Sequence, residues 1–187
     1  PVLTPPELPR RESIEHYMLK PVGAMWLYGR GYRWTATEVW IPKAWRRHHA
    51  VRPSGRRVKV ADVVGIKRER KGWTVAVVEA KVSRNDFQSG FSTSGHLNYV
   101  LTPPGLVSID ELPEDVGLIE CDWQAFRWHG GHSFRGLQVA RRAKRVPLGG
   151  DVWAGDEAVL PFLLEISGAL VVRSIYGSPW LTDRYQD

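Results

Sequence analysis

The sequence predicts a single α/β domain in which helices flank a central mixed β-sheet. Three observations lead to this prediction. The chain has 187 residues, of which 43% are hydrophobic, and this is enough for one substantial core. Segments rich in β-branched and aromatic residues cluster in the middle of the chain. Segments in which apolar residues recur at helical spacing come before and after that cluster.

The N-terminal part predicts an extended lead-in, one helix and one strand. Residues 1–10 contain four prolines, which disfavour regular structure. From residue 11, apolar residues recur at helical spacing, with Ser13 placed as the N-cap, and we expect Pro21 to kink or split this helix. Residues 32–41 alternate in polarity and are rich in aromatic and β-branched side chains, so they predict a strand.

The central part predicts a β-hairpin followed by a short helix. Residues 58–66 and 73–82 have strand composition, and the charged residues 67–72 separate them as a turn. Ser83 and Asp86 have the spacing of a capping box, which predicts that a helix begins there.

The C-terminal half of the chain predicts two further strands and further helical segments. We expect strands at residues 96–101 and 116–121, a helical turn at 109–112, a loop containing glycine and histidine at 126–136, and a helix within 156–175. The sequence contains no internal repeat and no clear interdomain linker. Residues 11–146 would then form the core of the domain, and residues 147–187 a helical extension that packs on it.

The positive charge of the chain is concentrated in one segment. The net charge is +6, yet residues 30–84 alone contain fifteen Lys and Arg against four Asp and Glu. Tryptophans are interleaved with these cations, and residues 43–57 have the composition of a basic loop. Cations that displace counterions and rings that stack on bases favour nucleic acid as a partner. The alternative is an exposed basic surface balanced by the acidic C-terminal segment.

The side chains expected to contact nucleic acid are Arg46, Arg47, Arg56, Arg57 and Arg84. Charge does not distinguish DNA from RNA, so an RNA partner stays open at this point.

Composition also limits the cellular setting and the type of metal site. No window approaches eighteen consecutive apolar residues, and the first thirty residues lack a leader pattern, so we expect a soluble cytoplasmic protein with no membrane partner. Cys121 is the single cysteine, which excludes an internal disulfide and a Cys-rich zinc site. Any metal would be held by oxygen or imidazole ligands.

A carboxylate and an ammonium group lie near the end of the second hairpin strand. Val75, Val77, Glu79 and Lys81 share one face, because side chains alternate along a strand. The face changes from apolar to charged, so we expect the strand to leave the core at Glu79, with Lys81 about 7 Å further on. An edge strand that simply reaches solvent would show the same pattern.

The preceding strand brings a second acid to this point. If the turn is centred between Arg70 and Lys71, antiparallel pairing sets Asp62 opposite Glu79, with β-carbons about 5 Å apart. Two facing carboxylates are unfavourable unless a positive charge lies between them. Oxygen ligands beside a lysine therefore predict an Mg²⁺ or Mn²⁺ site of the open kind, which water and a substrate phosphate would complete.

The arrangement of Asp62, then Glu79-Ala80-Lys81 after sixteen intervening residues, resembles the PD-(D/E)XK nuclease superfamily. The longer runs at residues 60–65, 77–87, 99–104 and 112–119 resemble the MmcB-like DNA repair proteins and related phage nucleases, over roughly residues 30–146. The resemblance implies a restriction-endonuclease-like fold. It also implies metal-dependent hydrolysis of DNA to 5′-phosphate products in repair, recombination or phage DNA processing.

The resemblance further implies a role for each site residue. Asp62 and Glu79 would ligate the metal with the Ala80 carbonyl as a third ligand, and Lys81 would orient or deprotonate the attacking water. Such sites often contain another acid. Glu38 is ranked above Glu15 for this role, because only Glu38 lies on a strand that can pair beside Asp62, and an ordinary exposed acid is the alternative for both.

Two points stay open from the sequence. A noncatalytic DNA-binding accessory protein that retains the nuclease fold is the alternative function. The apolar residues 159–172 are expected to cover the core, and they could also form the face of a homodimer.

Overall fold

A computed structural model describes residues 13–41, 60–70, 72–129 and 133–148. The elements are α1 (Ile14–Gly29), β1 (Trp34–Trp40), β2 (Val60–Glu69), β3 (Gly72–Ala80), α2 (Arg84–Gln88), β4 (Leu97–Thr102), a short 3-10 helix (Ile109–Glu111), β5 (Val116–Cys121), β6 (Arg127–Trp128), β7 (Phe134–Arg135) and β8 (Leu137–Arg141). The predicted lead-in, the basic loop that contains Arg46, Arg47, Arg56 and Arg57, and the C-terminal helix lie outside the described residues.

The strands form a mixed six-stranded sheet in the order β1-β2-β3-β4-β5-β8. β1, β2 and β3 pair antiparallel, β3, β4 and β5 pair parallel, and β8 returns antiparallel to β5. The predicted α/β class with a mixed sheet between helices is therefore confirmed.

Two differences from the sequence prediction concern the C-terminal side of the sheet. The expected loop at residues 126–136 contains the two-stranded β6–β7 hairpin. β8, which the sequence did not predict, forms the edge of the sheet and is mostly half-buried. Its side chains lack the clear alternation of polar and apolar residues on which strand prediction depends, and its pairing with β5 shifts register between Leu118 and Ile119.

The helix α1 begins after the N-cap that the sequence predicts. The Ser13 side chain accepts a hydrogen bond from the N–H of His16, and Gly31 follows the helix with a positive φ of 87°. Pro21 does not split the helix, which is continuous over sixteen residues. Within the described ranges, no helix is long and apolar enough to cross a membrane.

The sheet is buried on both faces. One face packs against α1 in a cluster built from Leu19, Leu27, Val63, Val78 and Ile119, among others. The opposite face has two clusters, one over β1, β2 and β3 and one that joins β4 and β5 to Phe87 of α2. The two helices therefore reach the sheet from opposite sides.

The predicted hairpin register is confirmed. Val63 pairs with Val78 and Glu69 pairs with Gly72, so the partner numbers sum to 141 as expected for a turn centred between residues 70 and 71. The next two facing positions in this register are Asp62 and Glu79. The hairpin thus brings both acids to the same end of the β2–β3 pair.

We expect Gly117→Ala to lower the free energy of unfolding by about 2–3 kcal/mol. A Cβ at Gly117 would lie 2.4 Å from two atoms of the Tyr99 ring and 2.7 Å from the Ala143 nitrogen. Urea denaturation of the full chain measures the change. The same substitution in a Tyr99→Ala background should cost less, because the ring contact is gone. An equal cost in both backgrounds would show that the ring contact is not the cause.

Candidate active site

Asp62 lies where the backbone pairing of β2 and β3 ends. Val63 and Val78 are the last paired residues before the two acids. Beyond them, the N–H of Ala80 donates to Asp62 Oδ2 over 2.9 Å. A carboxylate therefore takes the place of a backbone acceptor at this end of the hairpin.

Two basic side chains from α1 approach the Asp62 carboxylate. His16 Nε2 lies 3.4 Å from Asp62 Oδ2, and Lys20 Nζ lies 3.7 Å from Asp62 Oδ1. Burial of the Asp62 carboxyl raises its pKa, but the hydrogen bond from His16 and the charges of His16 and Lys20 lower it by more. The net result is an Asp62 pKa below its ordinary value, so this group is ionised at neutral pH.

Glu79 is a buried carboxylate with an unpartnered oxygen. The residue is 3% exposed, and its Oε1 has no hydrogen-bond partner among the described residues. Burial and then the negative charge of Asp62 raise the pKa of Glu79 well above its ordinary value, while Lys81 and the N–H of Ser92 oppose the shift. An incompletely paired buried carboxylate is costly, so a cation at this oxygen would stabilise it.

Lys81 is held between the sheet and α2. Its backbone N–H donates to the Leu101 carbonyl oxygen over 2.9 Å, and its Nζ lies 3.2 Å from Asp86 Oδ1. Lys81 is 6% exposed, so the expectation that the strand leaves the core at Glu79 is wrong. The charged end of β3 is buried because the segment that follows β3, from α2 to Ser92, supplies polar partners to both side chains.

Glu38 and Glu15 occupy different environments. Glu38 lies across from Asp62 in the β1–β2 register, between the pairs Thr37–Val63 and Val39–Ala61, and it has a positive φ of 55°. Its carboxylate forms an ion pair with Lys20. Glu15 is exposed in the first turn of α1. The structure therefore places Glu38, and not Glu15, next to Asp62 and its partner Lys20.

Sequence reasoning missed the basic pair on α1. His16 and Lys20 are one helical turn apart, and the same helix stripe continues with the buried Gly23 and Leu27. A polar pair on an otherwise apolar stripe is the signal that could have identified them. His16 Nε2 also lies 3.1 Å from the Ala80 carbonyl oxygen, so α1 contacts two of the three expected ligand residues.

The neighbours of the two acids come from opposite sides of the sheet. Asp62 contacts His16 and Lys20 of α1. Glu79 instead accepts a hydrogen bond from the backbone N–H of Ser92, which follows α2 in the chain. The backbone of Ala80 contacts the Asp62 side of the site through both of its polar groups. Its N–H donates a hydrogen bond to Asp62, and its carbonyl oxygen is hydrogen-bonded to His16. The described residues contain no group of three or more His, Cys, Asp and Glu side chains able to hold a metal. Any divalent cation would thus depend on two carboxylates and a carbonyl.

Arg84, which was expected to contact nucleic acid, has protein partners in the structure. Its guanidinium donates to Glu111 Oε2 over 2.8 Å and to the Leu106 carbonyl oxygen over 3.0 Å, and it lies over the Phe87 ring. These contacts join α2 to the 3-10 helix. Contact of Arg84 with a phosphate stays a prediction, and it would require release of Glu111.

The Arg84–Glu111 pair predicts a pH-dependent contribution to stability. The hydrogen bond from Arg84 and then the N–H of Ser108 lower the pKa of Glu111 to about 2, from an ordinary value of 4.5. A lowered folded-state pKa means that the stabilisation is present above pH 4.5 and is lost as the pH falls towards 2. The difference in urea midpoint between the natural chain and Arg84→Gln should shrink over this range. A difference that is independent of pH would contradict the assignment.

Comparison with known proteins shows the fold only. No family model and no curated protein matches the chain. Among solved structures it is similar to SPO1766, a protein of unknown function from Silicibacter pomeroyi, with a TM-score of 0.52 and 16% sequence identity. The similarity covers 94% of this chain and 99% of that chain. The two proteins therefore share an α/β fold along nearly their whole lengths.

Proposed function

We propose that this protein is a divalent-metal-dependent nuclease that hydrolyses DNA phosphodiester bonds and has a restriction-endonuclease-like fold. The observation that carries the proposal is the buried Glu79 carboxylate. Its Oε1 has no hydrogen-bond partner within the described ranges, the negative charge of Asp62 acts on it, and Lys81 lies two residues further along the chain. A divalent cation at this oxygen would stabilise the ionised carboxylate against the cost of burial, and oxygen ligands select Mg²⁺ or Mn²⁺.

The chemistry of the donor set suits such an ion. Mg²⁺ sites in phosphate-processing proteins commonly use one or two carboxylates, and water and substrate phosphate fill the remaining positions. Asp62 and Glu79 would supply the carboxylates and Ala80 the carbonyl oxygen. When bound, the ion would polarise the scissile phosphate and offset the charge that develops on it.

Lys81 would act on the attacking water. Its ammonium group is buried and held by Asp86, so its position is set before substrate arrives. From there it would orient the attacking water and stabilise negative charge on the phosphate oxygens. Asp86 would be a positioning residue, since it acts through Lys81. Glu38 would add negative charge near the site, where it forms an ion pair with Lys20.

DNA is proposed as the substrate on the basis of the charge pattern and the sequence resemblance. Fifteen cations lie in residues 30–84, and the described part of this segment includes exposed tryptophans at positions 34 and 40. Cations and exposed rings together suit a polyanion with stacking bases.

A noncatalytic DNA-binding protein is the second candidate, and one observation favours it. Both oxygens of Asp62 already have protein neighbours, in His16, Lys20 and the N–H of Ala80. An acid neutralised in this way needs no metal. A nuclease fold that has lost its activity would retain the basic surface and keep the acid for stability alone.

Incubation with end-labelled DNA decides between the two. The panel contains linear, circular, forked and single-stranded DNA, each with Mg²⁺, Mn²⁺ or EDTA. Cleavage that requires the metal and leaves 5′-phosphate ends supports the nuclease, and digestion of linear DNA alone would indicate an exonuclease. Binding to DNA without cleavage under any metal condition would support the accessory protein instead.

A further inference from the structure

The His16 imidazole occupies oxygens that the proposed cation would use. Its Nε2 lies 3.1 Å from the Ala80 carbonyl oxygen and 3.4 Å from Asp62 Oδ2. A carbonyl oxygen can only accept a hydrogen bond, so Nε2 carries the hydrogen and donates it. His16 is thereby a donor to two of the three proposed ligand residues.

This N–H group and a divalent cation compete for one position. The hydrogen of an N–H···O bond lies about 2 Å from its acceptor, and Mg²⁺ contacts oxygen ligands at about the same distance. Both therefore need the space in front of the Ala80 carbonyl and the Asp62 carboxylate. Lys20, one turn further along α1, places a second positive charge at the other Asp62 oxygen.

The fold places the imidazole there. Leu19 and Leu27 on α1 are fully buried against the sheet, so the helix cannot move away without exposing its core contacts. The His16 side chain itself is 20% exposed, so it lies at the edge of this contact rather than inside it. The backbone of α1 is therefore anchored, so opening the site would require a movement of the imidazole itself.

We infer that His16 is a displaceable latch on the cation site. In the cation-free protein the imidazole holds the Ala80 carbonyl and Asp62 together, and a divalent cation binds only when the imidazole moves out. The latch regulates the site of the proposed nuclease and so rests on that function. Its consequence is that the natural protein binds the cation more weakly than its oxygen ligands alone would.

Titration of the full chain with MnCl₂ by isothermal calorimetry tests the latch. His16→Ala removes the donor, and its affinity for Mn²⁺ should rise on the order of tenfold, the value of a hydrogen bond to a charged group. His16→Leu removes the donor but keeps apolar bulk, and its affinity should rise as well. His16→Gln retains an N–H donor of similar reach and should remain near the natural affinity.

A matched control uses the same helical turn. Ile14 is 71% exposed and has no part in the site, so Ile14→Ala should leave Mn²⁺ binding unchanged. Circular dichroism confirms that each variant is folded before titration.

Each result separates the latch from the underlying function. Equal affinity in the natural protein, His16→Ala and His16→Leu would overturn the latch and leave the cation site standing. Weaker binding in both donor-free variants would also overturn it, and would make His16 a ligand. Failure of every variant to bind Mn²⁺ at millimolar concentration would remove the cation site itself, and with it both the nuclease and the latch.

Discussion

Glu79→Gln and Asp62→Asn should each reduce metal-dependent DNA cleavage by about 10³-fold, because each removes a charged ligand of the proposed cation. The same variants should change stability in opposite directions when EDTA is present. Glu79→Gln removes a buried ionisable carboxyl group whose Oε1 has no hydrogen-bond partner among the described residues, so its free energy of unfolding should rise by about 1–2 kcal/mol. Asp62→Asn removes the negative charge that His16 and Lys20 approach, so the free energy of unfolding of this variant should fall by about 1–3 kcal/mol.

Cleavage of labelled DNA and urea denaturation measure these two effects. Glu114→Gln is the matched control, since Glu114 is an exposed acid paired with Lys144 on the segment before β5. It should change neither cleavage nor stability appreciably. Full cleavage by Glu79→Gln would remove the proposed active site. Lower stability of Glu79→Gln would show that its carboxylate is better satisfied than the structure indicates.

Lys81→Gln should reduce cleavage by about 10²–10³-fold while leaving Mn²⁺ affinity close to that of the natural protein. The reason is that Lys81 acts on the water and the phosphate rather than on the metal. Asp86→Asn should have a smaller effect, about tenfold, because it loosens the 3.2 Å contact that positions the ammonium without removing it. Single-turnover cleavage rates and calorimetric Mn²⁺ titration distinguish the two effects.

Lys144→Gln provides the control for Lys81. Lys144 also pairs with a carboxylate, but its side chain is 62% exposed, and it should have no effect on cleavage. Unchanged cleavage by Lys81→Gln would show that another group activates the water.

Much of the fold was predictable because the relevant signals are local. Ser13 and Ser83 were expected to cap helices, and both accept the expected hydrogen bonds from the chain three residues on. The charged turn at residues 67–72 set the hairpin register, because an antiparallel register follows from the centre of its turn. β8 was missed, since an edge strand with mixed burial has no periodic pattern to detect.

The site was predictable only in part, for a related reason. Asp62, Glu79 and Lys81 lie on two strands joined by a short turn, so sequence spacing determines their relation. His16 and Lys20 lie more than forty residues before Asp62, and no pattern along the chain shows that α1 packs at that point. The same holds for the burial of Glu79 and Lys81, which depends on the segment that follows β3 and covers this end of the sheet.

The sequence by itself determined that the chain forms a mixed α/β sheet domain and that one hairpin carries two acids and a lysine at its open end. Alternation along strands, capping and turn symmetry act over a few residues, and they can be deduced from residue order. Only the tertiary structure decided that α1 supplies basic partners to Asp62 and that His16 contacts the Ala80 carbonyl oxygen. It also decided that Glu79 is buried, with an oxygen that has no hydrogen-bond partner among the described residues. Such contacts arise from the packing of elements distant in sequence, and residue order does not encode that packing in a local pattern.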